Sequence, residues 1–320
     1  MNDAFYTDVR LPAWRHVAGC RCAVHRRRRL AFGLLGAGLG SAVPAWAQQK
    51  LPAPEGVDVG KSSSFSKLVP AQKVEQAAAQ QFVQMQNQAR QKSALAPDDH
   101  PQLIRLRYIA KRLIPFTPPW NARAKQWKWE VILLGSPQIN AFCMPGGKIA
   151  FFWGILAKLQ LSDDEVAMIM GHEMAHALRE HARERMGKTA ATRIGASVLS
   201  AFLGLGGTGD ALLNMGGQLL TLKFSREDES EADIVGMELA ARAGYDPKAG
   251  VTLWQKMLAT GKGAPPQFLS THPSGATRIQ DIEAKLPKVA PIYASAGKPP
   301  RRFGPPAKPA AASAPAQGGG

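Results

Sequence analysis

Residues 171–181 read GHEMAHALREH, two histidines four positions apart with a glutamate directly after the first. At about 100° per residue, His172 and His176 lie about 40° apart on a helix, one turn along the same face. The start of that helix is legible. Ser162 and Glu165 have the spacing of a capping box, and Leu161 with Val166 fits the accompanying hydrophobic staple. The helical pattern runs from there to about Arg185. Gly171, Ala175 and Ala177 put small residues around the histidine pair, as expected where other elements must approach closely.

Two imidazoles so placed can grip one zinc ion at about 2.0–2.1 Å each. Glu173 can then point at a water on the metal and accept its proton as the water attacks a carbonyl. His181 is on the same helical run about 140° round from His176, which assigns it no metal role, only that of a surface histidine or a helper behind a ligand. A hydrolytic zinc needs three protein ligands and an open position. Downstream, SREDESEAD offers Glu227, Asp228, Glu229, Glu231 and Asp233, and His272 is a further candidate. Glu229 and Asp233 are again one turn apart, so one can bind metal while the other orients a ligand histidine. Equally, these acids suit a solvated first helical turn, and position alone does not choose among them.

The rest of the chain supplies the frame. PAQKVEQAAAQQFVQMQNQARQK and PQLIRLRYIAKRLI read as helices. WKWEVIL alternates as a half-buried strand, and INAFCM and KIAFFW flank Pro145-Gly146-Gly147 as a hairpin with a type II turn. Ser225 and Asp228 open another helix, which stops at Gly244, and Asp246-Pro247 starts the next. Mostly helices around one small sheet imply an α+β fold.

This folded unit spans 70–290, between a Pro/Gly/Ser-rich linker at 48–69 and a Pro/Ala/Gly-rich tail at 291–320 expected to be disordered. Residues 1–47 carry an arginine block at Arg26–Arg29 and an apolar run, and end in Ala45-Trp46-Ala47, the pattern of a cleaved secretory signal. The expectation is therefore export to the periplasm, with peripheral contact to a membrane as an option. Two of the three cysteines fall in that leader, so Cys143 is alone and no disulfide framework exists. It reads as a small core residue. The formal net charge is +16, but the basic residues are scattered and no nucleic-acid motif accompanies them, so no nucleic-acid partner is expected.

NAFCMPGG, GHEMAHALREH, SREDESEAD and STHPSGATRI occur in the order, and at roughly the spacing, of one zinc metalloendopeptidase family. The chain resembles the HtpX-like and BepA-like bacterial proteases, gluzincins related to the CAAX-prenyl proteases, and most of all their soluble exported branch. The likeness covers about residues 70–287. It implies a zincin-like domain and one zinc ion per chain, held by His172, His176 and Glu229, with Glu173 as general base and Asp233 as the partner of a ligand histidine. It also implies that the strand bearing Asn140, Ala141 and Phe142 is a sheet edge lining the cleft, where an extended peptide adds through main-chain hydrogen bonds. Asn140 serves there or simply bonds in a turn.

His272 has three readings: it fills the open position on the metal and holds the site latent, it donates to a developing oxyanion, or it caps a helix away from the metal. Arg278 either neutralises nearby acids or coats a helix. The Gly-rich stretch 194–222 either covers the cleft, touches a membrane surface or packs as ordinary helix. The expected function is a zinc endopeptidase that cuts misfolded or unassembled cell-envelope proteins. The alternative is a chaperone-like envelope assembly factor with a latent site blocked by His272.

Overall fold

The computed structural model describes residues 56–191, 216–260, 266–273 and 277–307. The leader, the first part of the linker, most of the Gly-rich stretch and residues 308–320 lie outside the described residues. Helices α1 (Ala71–Gln91) and α2 (Pro101–Leu113) precede a three-stranded sheet of β1 (Glu130–Leu134), β2 (Ala141–Met144) and β3 (Lys148–Phe152). Helices α3 (Trp153–Leu159), α4 (Asp163–Leu178), α5 (His181–Ala190), α6 (Arg226–Arg242), α7 (Ala249–Ala259), α8 (Gln267–Thr271) and α9 (Arg278–Ser295) follow. This is the α+β zincin-like arrangement expected of the chain.

The sheet order is β1-β3-β2, with β1 parallel and β2 antiparallel to β3. The β2–β3 hairpin turns on Pro145 and Gly146, whose φ of 86° is the left-handed value a type II turn requires. The turn closes with the Gly147 N–H donating to the Met144 carbonyl at 3.2 Å. The strand read from WKWEVIL begins only at Glu130 and is buried on both faces rather than one. Alternate residues explain this: Ile132 and Leu134 pack with Ala78 and Phe82 of α1, while Val131 and Leu133 join the core of α2 and α4. Trp127 precedes the strand, its indole N–H donating to Glu75.

Helix α4 is central, and every residue of it except Asp164 is buried. Its capping box is formed in both directions between Ser162 and Glu165. It crosses α6 at two glycines. A Cβ on Gly171 would lie 2.7 Å from the Gly236 carbonyl oxygen, and one on Gly236 would lie 2.6 Å from the His172 nitrogen. Only that close approach lets acids on α6 reach histidines on α4.

Helix α4 stops at Leu178, short of the expected Arg185. Glu180 takes a left-handed φ of 61° and α5 starts afresh at His181. Both flanks expected to be loose are partly fixed on the domain. Val57 is buried and its N–H donates to Glu238 at 2.6 Å. At the other end α9 runs to Ser295, and the chain then returns to the start of α4. There the main-chain N–H groups of Phe303 and Gly304 donate to Asp163, which also pairs with buried Arg105 at 2.6 Å. A disordered tail from 291 is therefore corrected as far as residue 307. A low-complexity composition does not prevent ordering where a buried carboxylate needs donors.

Candidate metal centre

His172 and His176 from α4, Glu229 from α6 and His272 from the end of α8 are all buried, and one potential ligand atom of each lies within 4.8 Å of the others. The Nε2 atoms of His172 and His176 are 3.1 Å apart. Glu229 lies 3.6 Å from His172 Nε2 through Oε2 and 3.4 Å from His176 Nε2 through Oε1. A tetrahedral ion with bonds of about 2.0–2.1 Å holds its ligand atoms about 3.3 Å apart, so the spacing suits one.

Proton placement points the same way. Asp233 Oδ1 is 3.0 Å from His172 Nδ1, and an ionised carboxylate only accepts. The imidazole proton is therefore on Nδ1, which leaves a lone pair on Nε2 facing the cluster. With Nε2 of His176 likewise unprotonated, two such nitrogens and a carboxylate converging in a buried site repel one another unless a cation lies between them. The donor set fits zinc, which favours imidazole and carboxylate ligands.

Arg278 closes the far side. Its Nη1 donates to Glu229 at 2.6 Å, and Nε and Nη2 donate to the two oxygens of Asp233 at 2.8 Å each. The guanidinium lies 3.7 Å from the centre of the Trp254 ring. Burial opposes charge on Glu229 and Asp233, yet His176 and His272 beside Glu229, and Arg278 and His172 beside Asp233, hold both well into the ionised range. The sequence offered Arg278 only as one of two options; its burial settles it as the neutralising group.

Glu173 differs from its neighbours. It is 2% exposed, and its Oε1 has no hydrogen-bond partner among the described residues. Burial raises its pKa above the ordinary carboxylate range, against the pull of His272 and His172. A buried carboxylate that is still basic, makes no hydrogen bond through Oε1 and faces His272 Nε2 only at 3.5 Å is equipped to take a proton.

His272 is the C-terminal cap of α8, not the start of a helix. Its Nδ1 lies 2.9 Å from Glu229 Oε1 and 3.3 Å from His172 Nε2, a fourth vertex of the same cluster. Its ring stacks on Phe268, with centroids 4.5 Å apart. The reading of His272 as a cap remote from the metal is thus corrected. Phe224, which had not been singled out, stacks on His176 at 3.9 Å, and its N–H donates to the Thr271 carbonyl.

Strand β2 is a sheet edge beside these groups. Asn140, Phe142 and Cys143 line a cleft with Glu173, His176 and His272. The Phe152 N–H donates to the Asn140 carbonyl, and hydrogen-bonded pairs alternate along an antiparallel ladder. The main-chain groups of Ala141 and Cys143 therefore face outward. The Asn140 side chain accepts from the Ala141 N–H at 3.0 Å, so it bonds locally at the edge itself. Burial, with Glu173 nearby, pushes the Cys143 thiol well up, in keeping with a core residue. Leu219, Leu220 and Leu222 also line the cleft, which places the described end of the Gly-rich stretch beside it. Among the described residues no helix is long and apolar enough to cross a membrane.

A model of peptidase family M48 matches residues 104–286. Over 197 residues the chain is 37% identical to the mitochondrial metalloendopeptidase OMA1 of Schizosaccharomyces pombe, covering 61% of this chain and 56% of that one. Over 150 residues it is 42% identical to the mitochondrial metalloendopeptidase OMA1 of Arabidopsis thaliana, covering 47% and 30%. Identity to the β-barrel assembly-enhancing protease of Escherichia coli is 25% over 182 residues, covering 54% and 37%. In each case the chain spans less than two thirds of the relative's length. The higher identities are to proteins named mitochondrial, and these names overturn the expected periplasmic location.

Proposed function

The chain belongs to peptidase family M48, and from that premise we propose that it is a zinc-dependent endopeptidase acting on unfolded or misassembled proteins. One observation carries the reading: two imidazole Nε2 atoms and a carboxylate converge at tetrahedral spacing beside a buried carboxylate whose Oε1 makes no hydrogen bond. In this reading His172, His176 and Glu229 hold one zinc ion. When bound, zinc makes a water nucleophilic at neutral pH and polarises the scissile carbonyl.

The chain's own residues do the rest. Glu173 accepts the proton of the attacking water at Oε1 and returns it to the leaving amine. Asp233 holds the proton of His172 on Nδ1, and Arg278 bonds both acids of α6 and keeps them in place. Substrate adds as an extended strand to β2, exchanging main-chain hydrogen bonds with Ala141 and Cys143. The Ala141 N–H is held by Asn140 until a substrate carbonyl replaces it. Recognition through the main chain needs an unpaired segment, which unfolded or unassembled proteins supply and folded ones do not.

Full chelation is expected to abolish cleavage of an unfolded model protein, and one equivalent of zinc to restore it. Cleavage that persists in metal-free protein would defeat the proposal.

A specific observation also favours a resting state that is closed. His272 Nδ1 stands at the fourth vertex of the cluster, where it takes the position that a water or a substrate carbonyl needs. His272→Ala is then expected to raise cleavage several-fold at unchanged zinc content. Unchanged or lower activity would remove the latch. If the unaltered chain and the variant are both inert while binding zinc and unfolded protein, the chaperone-like reading takes its place.

A further inference from the structure

Histidine ligands in metal sites ordinarily donate their second ring N–H to an acceptor that fixes the tautomer and aims the ring. For His172 that acceptor is Asp233. Among the described residues no carboxylate serves His176 in this way. Its Nδ1 lies instead 2.9 Å from Nδ1 of His181, with the ring centroids 5.0 Å apart and the planes at 76°. His181 is 1% exposed.

That contact depends on the break between α4 and α5. On an unbroken helix, His181 would lie about 140° round from His176 and could not reach it. The break places a non-glycine residue, Glu180, in the left-handed region, a strained conformation that its surroundings must hold. It is held by Asn121, whose side-chain amide donates to the Leu178 carbonyl at 3.0 Å. Arg179, on the bend, donates through Nε to Glu231 and through Nη2 to the Gly60 carbonyl at 2.9 Å. Glu231 in turn presents Oε2 to His181 Nε2 at 3.5 Å.

The protons then have one consistent arrangement. His176 offers the lone pair of Nε2 to the cluster, so its proton is on Nδ1. His181 accepts that proton's hydrogen bond at Nδ1, so its own proton is on Nε2, which makes no hydrogen bond and has Glu231 Oε2 beside it at 3.5 Å. We propose that His181, backed by Glu231, is the positioning residue for His176, setting its tautomer and ring orientation toward the metal. This rests on the zinc-site reading above.

The test uses the full chain with His181→Leu, which cannot accept, and His181→Asn, whose Oδ1 can take the place of the ring Nδ1. Zinc affinity is read by competition with a chelator, and ligand geometry by the visible spectrum of the cobalt-substituted protein. His181→Leu is expected to weaken zinc binding about 10–100-fold and to shift the cobalt spectrum, with His181→Asn recovering most of both. A role confined to packing predicts no such ranking, and equal binding by both variants and the unaltered chain overturns the inference. Because His181→Leu risks misfolding, the ring protons of the unaltered zinc-loaded chain are also assigned by nitrogen-15 NMR. His181 protonated on Nε2 is the expected state; protonation on Nδ1 would leave no acceptor for His176 and overturns the inference on its own. If the unaltered chain takes up no zinc, the site reading itself is lost and this inference with it.

Discussion

Glu173→Gln is expected to lower kcat/KM on an unfolded protein substrate by about 10²–10⁴-fold, the usual contribution of a positioned general base. Zinc content should not change. Glu173 is outside the set of converging ligand atoms, and its Oε1 has no hydrogen-bond partner to lose. The substitution is nearly isosteric and replaces a buried carboxylate, whose ionised form burial disfavours, by a neutral amide. Thermal stability of the metal-free protein should therefore hold or rise. This combination separates a base from a ligand: removing a ligand lowers activity and zinc content together, removing the base lowers activity alone. A variant that keeps a tenth or more of the activity at matched zinc content would mean that another group takes the proton.

The two capping boxes, the hairpin turn and the histidine pair were legible because each is local, its partners lying within a few residues of one another. The third ligand was not. Five acids lie between Glu227 and Asp233, and only the fold distributes their tasks. Asp228 returns its side chain to the Ser225 N–H in the capping box, and Glu231 turns to Arg179 and His181. Glu229 and Asp233 face α4 only because Gly171 and Gly236 let the two helices touch. The break at Glu180 was equally hidden, since no glycine or proline marks it and its causes are distant. They are Asn121 capping Leu178, and Arg179 reaching Gly60 and Glu231. With the break hidden, so was the contact between His181 and His176. Composition also misled at the C-terminal end, where Phe303 packs beside Tyr108 at 5.3 Å although its surroundings in sequence are proline-rich.

Arg278→Leu is expected to be the most damaging single change to stability. The guanidinium is buried between Glu229 and Asp233, donates three hydrogen bonds to them and covers Trp254. Removing one member of a buried ionic group leaves the remaining charges without compensation, which costs about 3–5 kcal/mol. Leucine keeps much of the packing against Trp254, so the loss reports charge and hydrogen bonding more than volume. Bound zinc stabilises any chain that folds around it, and it would offset part of the deficit by neutralising Glu229. The comparison therefore belongs in metal-free protein, by urea unfolding. Arg278→Lys restores one charge but not the planar fork that spans both acids, so it should recover only part of the loss. If Arg278→Leu unfolds at the same urea concentration as the unaltered chain, the two acids are not held ionised by this residue. The electrostatic account of the site would then have to be rebuilt around His172, His176 and His272.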